Sequence, residues 1–409
     1  MMFFRNIRSR WFGYPALSVI VLVLLLVLHS PPQHLQRFGA DVPVVHVLRT
    51  VLWFFGIALL LVMLLPDLLA SLRSDPPVET RAMLRTVSIA FAGTALLVLP
   101  SQLGIMGFGY AALSRAPFTS FDPSGQIYQR LLMPSLSWLI GMRGDFAYHV
   151  LSLVVAAMLL VAVYWSLHRR GITLTPVELI SVATSSFLIT QFQSPGYTEP
   201  LSYLFLIIVI TEVVQGPAAI AAVMLGVLAH EGTFLPAIAF FLFRKKRVEL
   251  RYTVMFAALY AALLVMSYGG DLNEIAAVRS VGNISALSWV LQHPLRELAG
   301  LFISFKLLWF VIGAAAVRSR EVRSGVLLFL LSGILLTIIA VDTSRMAGFA
   351  FGALLLSIPV VAAGEQGRTT FRNICWWNFA VPAVYISVNA GVVWFDGLYR
   401  LLAEGNFLR

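Results

Sequence analysis

Charge and sulfur are what this sequence has least of. A single cysteine, Cys375, stands among 409 residues, so no disulfide framework and no paired-cysteine redox or metal site can be built from it. Only 12% of the residues are charged, against about 25% in soluble domains, which is too little polar surface to cover a globule in water. A soluble enzyme is excluded. Also missing are the Gly-rich phosphate loops of nucleotide enzymes, a Ser-His-Asp arrangement, a second histidine at HExxH spacing and any internal repeat. No cofactor is indicated, and metal ligation is disfavoured, although a divalent ion stays open.

What is present is apolar. Hydrophobic residues make up 59% of the chain, and the mean hydropathy is +0.87. Runs of about 20 apolar residues are the expected signal, because a helix rises about 1.5 Å per residue and the hydrocarbon core is about 30 Å thick. Such runs fall near 11–28, 47–69, 84–103, 146–167, 179–192, 201–214, 254–268, 298–317, 326–341, 347–363 and 375–394. Two half-length runs, 218–228 and 233–243, flank Gly232. The expectation is an all-α, polytopic bundle of about 11–13 membrane segments, with short broken helices, folded as one domain over 1–409. The segments 104–145 and 269–296 are expected to be extracytoplasmic loops lying in the interface as amphipathic helices, with Ile127, Leu131 and Trp138 at helical spacing in the first.

The net charge of +10 sorts by side. An uncleaved first span with its N-terminus inside places Arg73, Arg81 and Arg85, then His168, Arg169 and Arg170, then Arg244 to Arg251, then Arg318, Arg320 and Arg323, then Arg368 and Arg372 in short cytoplasmic loops. The half-length runs must then form a tight hairpin, so that the 244–251 cluster stays inside. This reading makes the protein a multi-pass membrane protein with a cytoplasmic N-terminus and removes any need for nucleic acid as a partner. Membrane lipids remain.

With sides assigned, the acids inside or near spans gather at the extracytoplasmic ends: Asp122, Glu199, Glu231 with His230, and Asp342 with Arg345. Charges at such depth are costly and tend to face a cavity or a partner. Asp122 opens Phe121-Asp122-Pro123-Ser124-Gly125, which suits a type I turn equally well as a catalytic loop. Glu199, in Ser194-Pro195-Gly196-Tyr197-Thr198-Glu199-Pro200, can cap a helix or sit at an anion-binding helix start. His230-Glu231-Gly232 interrupts an apolar stretch. Asp342 and Arg345 can pair with each other, or the arginine can bind phosphate. Arg115, Arg130, Arg143, Arg279 and Arg296 also lie on the outer side, where positive-inside logic disfavours them and an anionic partner would suit them. Glu178 has a structural account, since Thr175-Pro176-Val177-Glu178 is a capping box.

The stretch from Phe121 to Pro134, with Asp122 followed by Tyr128 and Arg130, resembles the GT-C superfamily of integral membrane glycosyltransferases. That architecture has spans of uneven length, a large extracytoplasmic loop with a carboxylate leading into an interfacial helix, and broken helices around an outer cavity. The resemblance implies transfer of a sugar from a polyprenyl-phosphate donor. Asp122 would be the loop carboxylate, with Glu231 as the competing base. Tyr128, Arg130, Tyr197, Glu199, His230, Asp342 and Arg345 would be substrate-binding, with Trp138 a further stacking surface. A transporter or flippase for a lipid-linked or anionic substrate is the alternative, and a noncatalytic envelope scaffold a third.

Overall fold

A computed structural model describes residues 10–29, 42–74, 79–98, 107–118, 130–193, 195–268, 270, 286–339, 343–387 and 391–394. Helices dominate throughout, and the protein is a polytopic helical membrane protein. Among the described residues, six helices are long and apolar enough to cross a bilayer: Val44–Arg73, Thr80–Val98, Asp145–His168, Arg247–Ser267, Arg320–Ile339 and Thr343–Val361. Two further helices, Pro294–Phe305 and Leu308–Arg318, are together long and apolar enough to cross but meet at 83°. Among the described residues there are also four shorter apolar helices, Gly13–His29, Glu199–Ile210, Pro217–Ala229 and Glu231–Phe243.

In chain order the elements are α1 (Arg10–His29), α2 (Val42–Ser74), α3 (Thr80–Val98), α4 (Phe108–Arg115), α5 (Leu132–Leu139), α6 (Asp145–His168), α7 (Pro176–Ala183) and α8 (Ser186–Gln193). Then follow α9 (Glu199–Ile210), α10 (Pro217–Ala229), α11 (Phe234–Phe243), α12 (Arg247–Ser267), α13 (Ala286–Gln292), α14 (Pro294–Phe305) and α15 (Leu308–Arg318). The last described elements are α16 (Arg320–Ile339), α17 (Thr343–Ala347), α18 (Phe351–Val361), α19 (Gly364–Trp377) and a hairpin of β1 (Val384–Ser387) and β2 (Gly391–Trp394). β1 and β2 pair antiparallel, Val384 opposite Trp394. Burial sorts the helices as lipid would. Helices α9 and α10 are buried almost all round, whereas α2 exposes Val44, Val47, Val51 and Phe55 and α16 exposes Leu327, Leu331 and Ile339.

One end of the bundle is held by arginines. Arg169 and Arg170 donate to the carbonyls of Thr211 and Ile210 at the C-terminus of α9, and Arg170 also reaches Leu355 O. Such cations satisfy helix-terminal carbonyls and complement the negative end of the dipole. Glu178 sits in the capping box that starts α7, and Arg368 of α19 donates to it at 2.6 Å. The capping account of Glu178 therefore holds, with an ion pair added.

At the same end, Glu212, which precedes α10, is paired with Arg244 and with Lys246 at 2.9 Å, both of which follow α11. The start of α10 and the finish of α11 are thus side by side, so the two helices form a hairpin with its tip at His230-Glu231-Gly232. His230 is extended there, with φ −160 and ψ 122. At 13 residues for α10 and 10 for α11, each arm rises about 15–20 Å, less than a bilayer. The tip therefore stops inside the protein. Ser202 Oγ of α9 donates to Gly226 O at 2.9 Å, fastening α9 to the hairpin below its tip.

The last expected span, 375–394, is different from a helix. Here α19 is polar on one face, and beyond a short 3-10 turn at Asn378–Ala380 the chain leaves helical geometry and forms the β-hairpin. Irregular backbone at this depth survives only where protein groups satisfy it. They do: Asn378 receives the Leu307 amide at 2.9 Å and donates to Ser181, and the buried Lys306 Nζ donates to Val381 O at 3.1 Å. Lys306 lies at the bend between α14 and α15 with φ 50. At the far end, Ser344 Oγ accepts from the Ile386 amide at 3.1 Å, joining β1 to α17.

In the expected outer loops, α4 and α5 are short helices with buried faces, and α5 begins only at Leu132. Ile127 lies outside the described residues, and Leu131 is buried as the residue before α5. Trp138 stacks on Phe54 at 5.8 Å and lies under Arg143 at 4.8 Å. Those two contacts hold the half-buried ring in place.

A candidate anion and hydroxyl site at the helix breaks

Three breaks meet at the end of the short helices opposite the arginine-held end. They are the Pro195-Gly196 turn before α9, the hairpin tip, and the N-terminal turn of α17. Gly196 has φ +116, and a Cβ there would lie 2.7 Å from Gly107 Cα, so both the conformation and the close approach of the 107 turn require glycine. The Gly196 amide is held by Ser152 Oγ of α6 at 2.8 Å. This fixes Tyr197 and Glu199 at the head of α9.

Arg130, just before α5, grips Glu231 with two parallel bonds, Nε to Oε2 at 3.0 Å and Nη2 to Oε1 at 2.8 Å. Its Nη1 donates to the Tyr110 hydroxyl of α4 at 3.1 Å. The fork geometry of arginine suits this two-point grip, which orients both partners. The pair is the more open part of the cluster, with side chains 11% and 16% exposed.

Deeper lies Glu199, whose side chain is 1% exposed. Its Oε1 is 3.4 Å from Arg345 Nε and 3.5 Å from His230 Nε2. The His230 Nδ1 accepts the Gly232 amide at 3.0 Å, which leaves the proton of a neutral imidazole on Nε2, the nitrogen nearer Glu199. His230 also lies against Phe349, centroid to centroid 5.1 Å, and Arg345 stacks over Tyr197 at 4.4 Å. Formal charges in this cluster balance: Arg130 and Arg345 against Glu199 and Glu231, with His230 neutral. Electrostatic coupling joins all five side chains.

Among the residues expected at the site, Arg130, Tyr197, Glu199, His230, Glu231 and Arg345 are brought together. Asp122, Tyr128 and Asp342 lie outside the described residues. Arg115 is instead paired with Asp145 at 3.0 Å, and Arg296 lies over Trp289 at 5.8 Å, so these outer arginines have partners within the protein. Sequence reasoning missed Tyr110, Tyr148, Thr198, Tyr203 and Phe349. Tyr203 had a signal, since it is one helical turn from Glu199 on α9. Tyr148 and Phe349 look like ordinary apolar-span aromatics. Among the described residues no cluster of histidine, cysteine and acid side chains has the grouping of a metal site.

The fold and composition define a polytopic membrane protein with a buried ion network at its helix breaks. No protein-family model, no curated protein and no solved structure matches the chain.

Proposed function

We propose that the protein is a membrane glycosyltransferase that moves a sugar from a polyprenyl-phosphate donor to an acceptor hydroxyl at the extracytoplasmic face of a bacterial plasma membrane. The observation that carries this reading is the meeting of two arginines, two glutamates and a histidine at helix breaks away from the arginine-held end. The positive-inside rule makes that basic end cytoplasmic and the N-terminus with it. Helices of 12 and 13 residues lift the cluster about 18–20 Å from there, into the outer half of a core about 30 Å thick. The resemblance of the 121–134 stretch to GT-C enzymes points the same way.

Glycosyl transfer needs two things from a protein, a base for the attacking hydroxyl and positive charge for the leaving phosphate. The acceptor oxygen forms a bond to the anomeric carbon, and the bond from that carbon to the phosphate oxygen breaks with its electron pair staying on the phosphate. The hydroxyl proton passes to a carboxylate. Arg130 and Arg345 are the cations for the phosphate. Glu231 holds Arg130 in its resting position, and a donor phosphate that draws Arg130 to itself would release Glu231 as a base. Asp122 is the other carboxylate for that step. Tyr128, Tyr197, Glu199, His230 and Asp342 are assigned to substrate binding.

The test is turnover of labelled polyprenyl-phosphate sugars in membranes bearing Glu231→Gln and Asp122→Asn. Loss of at least roughly a hundredfold in one of them is expected for removal of a general base. Full turnover in both variants would sink the reading. A transporter or flippase of a lipid-linked or anionic substrate is the second reading, favoured by the hairpin that ends inside the membrane. It predicts movement of labelled lipid across sealed vesicles without any change in its glycosidic bond.

A further inference from the structure

The cations at the basic end of the bundle are not all used alike. Arg169 and Arg170 fold back onto helix-terminal carbonyls, and Arg323 donates to Ala316 O at 2.7 Å near the finish of α15. Two turns do the reverse. Around the turn between α11 and α12 and the turn between α15 and α16, Lys245, Arg247, Arg251, Arg318 and Arg320 are exposed. None of the five has a hydrogen bond or ion pair to a described residue.

The two turns are fastened together. Arg244 pairs with Glu212 and reaches Glu321 of α16 at 3.9 Å. A Cβ on Gly325 of α16 would lie 3.1 Å from the ring of Phe243, the last residue of α11. Segments 244–251 and 318–323 hold eight cations, against the three acids Glu212, Glu249 and Glu321, a surplus of five positive charges. Length fixes the depth of that surplus. The spans Arg247–Ser267 and Arg320–Ile339 each begin on an arginine and have 21 and 20 residues, about one hydrocarbon thickness. Arg247 and Arg320 therefore stand at the level of the lipid phosphates. Short α11 packs against both spans and leaves Leu235, Ile238 and Leu242 partly or fully exposed, a stripe at helical spacing that rises from the cationic turn.

The positive-inside rule accounts for the side on which such charge lies, but not for cations left unpaired beside an exposed aliphatic stripe. That combination fits a phospholipid of net negative charge, its phosphate meeting the cations and an acyl chain the stripe. A zwitterionic headgroup carries its own ammonium and leaves the surplus standing. A soluble anion has nothing for the stripe.

We propose that the joined turns at 244–251 and 318–323 form a binding surface for anionic phospholipid of the cytoplasmic leaflet, with Lys245, Arg247 and Arg320 as its phosphate-binding cations. The surface lies at the base of the α10–α11 hairpin, away from the ion cluster at its tip, and is independent of the glycosyltransferase reading.

The test titrates phosphatidylglycerol, phosphatidylcholine and inorganic phosphate against the purified full-length protein in neutral detergent, read by thermal unfolding. Phosphatidylglycerol is expected to raise the unfolding temperature saturably, at roughly a tenth or less of the concentration that phosphatidylcholine needs. Inorganic phosphate should have no effect at those concentrations. Each surface cation contributes about a fivefold factor, so the triple variant Lys245→Gln, Arg247→Gln, Arg320→Gln should need roughly a hundredfold more phosphatidylglycerol. A second triple, Arg73→Gln, Arg81→Gln, Arg85→Gln, removes the same charge from the loop between α2 and α3 and should bind as the parent does. None of these six side chains has a bond to a described residue, so both triples should unfold at the parent's temperature without lipid, and a lower value identifies misfolding. The comparison of lipids on the parent protein needs no variant. Equal stabilisation by the two lipids, equal loss in the two triples, or stabilisation by inorganic phosphate alone would overturn the proposal.

Discussion

At the residue scale, the Arg130–Glu231 pair carries a measurable coupling. Removing one partner strands a half-dry charge, whereas removing both does not, so Glu231→Gln or Arg130→Met alone is expected to cost about 3–5 kcal/mol and the double variant clearly less than the sum. A double-mutant cycle on unfolding in detergent checks this, and additivity would mean that the two-point grip contributes nothing. Glu212 offers a pH test away from the membrane core. Burial alone would raise its carboxyl, but hydrogen bonds and charge from Arg244 and Lys246 outweigh that and hold it below its ordinary 4.5. A depressed carboxyl stabilises the fold above its unfolded value and loses that contribution as pH falls through the folded value. The parent protein should therefore weaken below about pH 4.5, while Glu212→Gln, already lacking the clasp, should show a flatter acid limb. Unfolding temperature measured across pH 3 to 6 reads the difference.

At the element scale, the sites of greatest leverage are the breaks. Gly196→Ala adds a Cβ 2.7 Å from Gly107 Cα at φ +116 and is expected to destabilise by about 1–3 kcal/mol or more, moving Glu199 with it. Lys245 is the opposite case: it follows α11 with φ 54 on an exposed turn, a position where glycine carries no Cβ penalty, so Lys245→Gly is expected to stabilise by up to about 1 kcal/mol. A second latch lies on the bent span. Thr343 donates to Glu297 of α14 at 2.5 Å, two residues before Arg345, and Ser304 donates to Ser344 O at 3.1 Å. Thr343→Val should loosen the start of α17 and be rescued by Thr343→Ser, read as a fall and recovery of affinity for bare polyprenyl phosphate.

The breaks also mark the limit of what the chain discloses on inspection. The hairpin was legible because Arg244 to Arg251 had to return to the basic side, and Glu199, His230 and Glu231 were legible because charge inside an apolar stretch is costly. The C-terminal hairpin was not. Residues 375–394 are apolar enough to read as a span, and only Asn378 and Lys306, distant in the chain, explain how that backbone can leave the helix. The bend at Lys306 was hidden for the same reason, since apolar periodicity continues across it and carries no information about angle.

At the scale of the whole molecule, sidedness is the property that everything else depends on. Cys375 is the chain's only cysteine and is buried, so Cys375→Ser gives a background for single reporters. A cysteine placed at Lys245 or Arg320 should react with a membrane-impermeant maleimide only after the cells are opened. One placed at Gly141 or Leu295 should react in intact cells. The reverse pattern would put the polar cluster on the cytoplasmic side and remove the basis for a lipid-linked donor outside.

The ion network also imposes an order on biosynthesis. A chain made and inserted from its N-terminus has Arg130 in place before Glu231, 101 positions later, enters. Glu199 has no such advantage, since its counter-ion Arg345 arrives only after the hairpin, α12 and the bent span have been made. Until then a carboxylate destined for the interior must wait near water, and α9 cannot settle for good. A chain that stops short of α17 is therefore expected to keep an unbalanced acid at its centre and to be degraded faster than the full chain, which pulse-chase of a product truncated before Thr343 reads.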